Sequence, residues 1–123
     1  MYNIKIYETE NGRSEIKEYI KQLNNKNSKS NKIKLNKIIA YIRMLKKYGL
    51  ELGTPYIKHI DKEIWELRPI KNRLLFAYYK DNMFILLSIF TKKTQKTPNK
   101  EIEKAKRYLI DFKKRSEKYE EKI

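Results

Sequence analysis

Residues 64–98, IWELRPIKNRLLFAYYKDNMFILLSIFTKKTQKTP, constrain the fold more than any other part of the chain. Three apolar runs separated by turn-forming residues read as a strand meander, and in a strand successive side chains alternate between two faces. Asp81-Asn82 reads as a two-residue hairpin turn. That register sets Tyr79 opposite Phe84, Ala77 opposite Leu86, Leu75 opposite Ser88 and Arg73 opposite Phe90. A loop symmetric about Ile70-Lys71 sets Arg68 opposite Arg73, Glu66 opposite Leu75 and Ile64 opposite Ala77.

Two faces follow. Trp65, Leu67, Leu74, Phe76, Tyr78, Ile85, Leu87 and Ile89 form an apolar face that helices must cover. Ile64, Glu66, Arg68, Arg73, Leu75, Ala77, Tyr79, Phe84, Leu86 and Ser88 form the other, which extends towards Lys92. Like charges opposite each other on a sheet are unfavourable by roughly 0.2–1 kcal/mol, so Arg68 and Arg73 call for a counter-charge. Two alternatives supply it: Glu66, diagonally within reach, in a solvated Glu-Arg-Arg cluster worth little, or a bound phosphate gripped by the guanidinium forks.

The flanking segments complete an α+β pattern. Tyr2, Ile4, Ile6 and Tyr7 suggest a first strand, broken by Asn11-Gly12. Ser14 caps a helix whose stripe is Ile16, Tyr19, Ile20 and Leu23. A polar linker over 24–31 leads to a second helix with Ile33, Ile38, Ile39, Ile42 and Leu45 on one side and Tyr48-Gly49 at its end. Residues 50–63 connect to the meander, in part as a strand edge. Thr97 as cap and Pro98 at the first helical position open a third helix to about Arg115, with stripe Ile102, Ala105, Leu109 and Phe112. Residues 116–123 form a polar tail, an exposed helix or a frayed end.

At 123 residues the chain is expected to be one domain, 1–123. Its 30 basic and 15 acidic residues give a formal charge of +15, which favours a polyanionic partner. Without cysteine there is no disulfide, thiolate metal site or thiol nucleophile. A single histidine outside any zinc motif argues against a metal, and no cofactor motif is present. No run approaches the ~20 apolar residues of a membrane span, so a cytoplasmic protein without membrane contact is expected.

The β-α-α-β-β-β-α order, with WELR at 65–68, an arginine before an aliphatic-aromatic run at 73–76, and Phe90, Lys92, Lys93, Lys96 and Pro98 after it, resembles the RelE/HigB toxins of bacterial toxin-antitoxin pairs. The phage-derived HigB-like branch is the most similar, over essentially the whole chain. The resemblance implies a RelE/ParE-like fold: a small, mostly antiparallel sheet packed against a helical hairpin, with a C-terminal helix. It also implies a metal-independent, ribosome-dependent endoribonuclease that cleaves messenger RNA by 2′-OH attack on the adjacent phosphate. Such chemistry needs a base for the 2′-OH, cations for the phosphate and a donor for the leaving 5′-oxygen.

Carried over by position, Arg73 serves the scissile phosphate with Arg68 as its partner. Lys92 and Lys93 provide further phosphate contacts or an acid, and Lys96 follows in the same cationic segment. The general base is open between Glu66, His59 and Lys58. The chain departs from the family in having Thr91, Lys92, Lys93 and Thr94 where several members carry a catalytic His or Tyr. The implied partners are the ribosome, messenger RNA and a cognate antitoxin, often a helix-turn-helix protein. Two other functions fit the same residues: a ParE-like toxin that binds gyrase without cleavage, and a non-catalytic basic RNA-binding module.

Overall fold

The computed structural model describes the backbone of residues 1–122 and the side chains of residues 1–119. The elements run β1 (Asn3–Ile6), α1 (Glu15–Asn25), α2 (Lys29–Tyr48), a 3-10 turn (Gly49–Leu52), β2 (Ile57–Asp61), β3 (Ile64–Leu67), β4 (Asn72–Tyr79), β5 (Met83–Thr91) and α3 (Asn99–Lys122). The five strands form one sheet in the order β1-β5-β4-β3-β2. β1 joins β5 in parallel and every other pairing is antiparallel. The expected α+β fold is present, and the connection before the meander contributes β2 as the edge strand anticipated there, so the meander has four strands.

Local chemistry fixes the helix ends. The Ser14 hydroxyl accepts from the Lys17 N–H at 3.2 Å, as anticipated. Ser28 does the same for Asn31 at 3.1 Å, so α2 begins inside the stretch expected to be linker. Gly49 ends α2 at φ +61, and a Cβ there would meet the Tyr2 ring at 2.5 Å, so only glycine suits the position.

Helices cover both faces of the sheet. On one, Ile16 and Leu23 of α1 and Ile38 and Leu45 of α2 pack on Leu67, Leu74, Phe76, Phe84 and Leu86. On the other, Ala105, Leu109 and Phe112 of α3 pack on Ile64, Leu75, Ala77, Ile85 and Leu87. The expected faces are therefore corrected at β5, where Phe84 and Leu86 exchange places with Ile85 and Leu87. The Tyr79-Met83 pairing makes the hairpin a three-residue loop, with Asp81 and Asn82 both at positive φ. A bulge at Leu87 then restores the expected Leu75-Ser88 and Arg73-Phe90 pairs.

Candidate phosphate-binding cleft

Glu66 lies at the centre of β3, paired with Leu75 on β4 as the sequence implied and with Lys58 on β2. Arg68 follows just past the end of β3, Arg73 stands near the start of β4, and residues 92–98 pass over them between β5 and α3. Glu66 is 2% exposed and Arg73 6%. A carboxylate and a guanidinium so far from water persist only when paired.

The pairing is explicit. Glu66 Oε1 lies 3.5 Å from Arg68 Nε and 3.7 Å from Arg73 Nε. Glu66 Oε2 accepts the Thr97 hydroxyl at 2.7 Å. Arg73 Nη1 donates to the backbone carbonyls of Ile70 and Asn72, at 2.8 Å each. Burial, and then the charge of Arg68, draw the Arg73 guanidinium below the ordinary arginine value, against the opposite pull of Glu66. Arg73 is thus largely committed to the protein itself. Arg68 is not: its side chain is a quarter exposed, and its buried Nε has no hydrogen-bond partner despite the nearby carboxylate.

The 92–98 segment lies against this cluster. The Lys92 N–H donates to the Lys71 carbonyl at 2.7 Å, and Thr94 Oγ1 to the Lys96 carbonyl at 2.7 Å. Glu66, Arg73, Lys92, Lys93, Lys96 and Thr97 line a common cleft of about 10 Å³, space for about one water molecule. Lys92 is half-buried, whereas Lys93 and Lys96 are exposed. A larger cavity of about 290 Å³ lies elsewhere, beside Tyr7 and Tyr108. Its two phenols are already bonded to Asp111 and Glu15.

Of the residues named from sequence, Glu66, Arg73, Lys92, Lys93 and Lys96 come together here, with Arg68 at 3.5 Å from Glu66. Lys58 shares the Glu66 face by register and is exposed. His59 does not join them. Opposite Trp65, it lies on the α1–α2 face, with its ring 4.9 Å from the indole and Nε2 2.7 Å from the Lys62 carbonyl. Sequence reasoning read Thr97 only as a helix cap and missed its bond to Glu66. It also missed Ile70, a β-branched residue at φ +53 whose carbonyl receives Arg73. The Pro-Ile-Lys turn signal at 69–71 was the available clue.

Residues 18–110 match the family described as Phage derived protein Gp49-like (DUF891). No curated protein matches the chain. The matched residues span most of the chain and every site residue above, and the fold is RelE-like. The chain therefore belongs to the phage-derived Gp49-like family, which is of RelE/HigB type and is associated with the toxins of toxin-antitoxin pairs.

Proposed function

We propose that the protein is a toxin that cuts messenger RNA on the ribosome, by metal-independent attack of a ribose 2′-OH on the adjacent phosphate. The observation that carries the reading is the Arg68-Glu66-Arg73 cluster bordered by Lys92, Lys93 and Lys96. The 2′-oxygen releases its proton to water and bonds to phosphorus, the 5′-oxygen departs with a proton from Lys92, and negative charge grows on the phosphate between them. Fixed cations beside it stabilise that charge without reorganising.

Within this reading the arginines divide the work. Arg68, a quarter exposed, turns its outer guanidinium nitrogens to the phosphate, together with Lys92. Arg73 holds the turn and shares the Glu66 charge. Glu66 has one oxygen facing two guanidiniums and the other occupied by Thr97, so it orients cations rather than taking the 2′-OH proton. Lys93, Lys96 and Lys58 bind flanking phosphates. The family implies an antitoxin partner.

The test is to map RNA 5′ ends in a translation extract programmed with one defined message. Wild-type protein is expected to create ends within translated codons, and Arg68→Ala to reduce them by roughly 10² or more, as for loss of one transition-state donor. Undiminished cutting by Arg68→Ala would remove the cluster from the chemistry. Intact message, with DNA breaks in arrested cells, would identify a gyrase-directed toxin instead.

A further inference from the structure

The basic charge is distributed unevenly, in a way the cleft does not explain. On α3, Lys104 pairs with Glu15, Lys106 with Asp61, Lys113 with Glu63 and Arg115 with Asp111. α2 is the opposite case. Its 20 residues, KSNKIKLNKIIAYIRMLKKY, contain seven cations and no acid. All seven are exposed, and among the described residues none lies in an ion pair with a carboxylate. Nearly half of the net +15 therefore stands on one helix.

The cations are also ordered. Ile38 and Leu45 point into the core, and at 100° per residue the opposite side presents Lys29, Lys32, Arg43 and Lys47, with Lys37 beside them. Lys29 and Lys47 are separated by about 27 Å along the axis at 1.5 Å per residue. Between the two ends of this stripe lie Ile33, one turn from Lys29, and then Asn36 and Ala40 at the centre, all exposed. A protein-binding helix face carries aromatic or aliphatic anchors at its centre, and this centre has a small polar residue and a methyl group. Long cationic side chains around a low, acid-free ridge suit a row of phosphates.

We propose that the outer face of α2 is a second RNA-binding surface, one that grips the phosphate backbone of a structured RNA while the cleft on the opposite face of the sheet engages the message. It deepens the RNA reading above and rests on it for the identity of the RNA met in the cell. Binding here is sequence-independent and weakens steeply with salt.

The experiment uses the full chain and a fluorescein-labelled 20-base-pair RNA duplex with 2′-O-methyl riboses, which cannot be cut by 2′-OH attack. Binding is titrated between about 50 and 200 mM salt for wild type, for the quadruple variant Lys29→Gln, Lys32→Gln, Arg43→Gln, Lys47→Gln, and for the cleft variant Lys93→Gln, Lys96→Gln. All four α2 positions are exposed, and equal melting temperatures confirm an intact fold. Loss of four phosphate contacts is expected to lower affinity roughly tenfold or more and to reduce the log-log salt slope by about 3.6. Unchanged affinity and slope in the quadruple variant would overturn the proposal, whether or not the cleft variant binds more weakly. So would a 20-residue poly-glutamate peptide that binds wild type at least as tightly as the duplex. Because the duplex is inert, this result is independent of whether the protein cuts messages.

Discussion

Removing the Glu66 carboxylate should cost far more than removing a surface acid. In Glu66→Ala, Arg73, 6% exposed, and Arg68, a quarter exposed, lose the charge that lies 3.7 and 3.5 Å from their Nε atoms. At an effective dielectric near 20, each contact is worth roughly 4–5 kcal/mol before desolvation. Part of that was already spent in drying the three groups, and Arg68 retains some water. Breaking a buried pair from one side typically costs about 3–5 kcal/mol, and the lost Thr97 bond adds about 1 kcal/mol. A net loss of about 4 kcal/mol is expected, a large share of the roughly 5–15 kcal/mol that holds a domain folded. Urea unfolding measures it directly. Glu66→Gln, which keeps the shape and an acceptor for Thr97, should lose less. Adding Arg73→Met to Glu66→Ala should recover part of the loss, because it removes the stranded charge. A loss below about 1 kcal/mol, the range of solvated pairs, would refute the picture of a dry cluster.

Ile70 is half exposed at φ +53, a conformation that costs a side chain bearing a branched Cβ about 1–2 kcal/mol and glycine almost nothing. After the added chain entropy of glycine, Ile70→Gly should gain about 1 kcal/mol and raise Tm by a few degrees; a lower Tm would show that the turn is unstrained. The Tyr7 phenol is pushed up to about 12, first by burial and then by its hydrogen bond to Asp111. A group whose folded pKa exceeds its unfolded value, here 10.0, keeps its stabilisation below that value and loses it as pH rises through the folded one. Wild type should therefore lose up to about 1.4 kcal/mol per pH unit between pH 10 and 12 through this group. Tyr7→Phe should flatten that decline, and identical urea midpoints for the two chains across the window would remove Tyr7 from it.

The parts legible in the sequence were those with local signals. Ser14, Gly49 and the apolar stripes announced the helices, and the loop symmetric about Ile70-Lys71 gave the register that brings Glu66 opposite Leu75. The β5 faces were not legible, because alternation distinguishes inside from outside only when one face is wet. Here both faces are dry, so Phe84 and Ile85 are equally apolar and one bulge decides between them. The tight grouping of acid and cations was foreseen from parity. Its burial was not, since that depends on α3 and the 92–98 segment closing over a face that strand periodicity alone presents as open. Thr97 shows the limit most simply. A threonine before a proline reads as a helix cap, and only the tertiary fold shows its hydroxyl directed 31 positions back to Glu66.

The parallel pairing of β1 with β5 has a consequence for folding. Asn3 hydrogen-bonds to Asn82 and sits beside Met83, and Tyr7 reaches Asp111 across 104 positions. β1 must wait for a partner made much later in synthesis, and such long-range closure slows folding. The cleft waits as well, because Thr97 and the lysines of 92–96 emerge after both arginines. A ribosome making this chain therefore carries Arg68 for 29 residues and Arg73 for 24 before Thr97 emerges and the cluster can close around them, at a synthesis rate of roughly 5–20 residues per second.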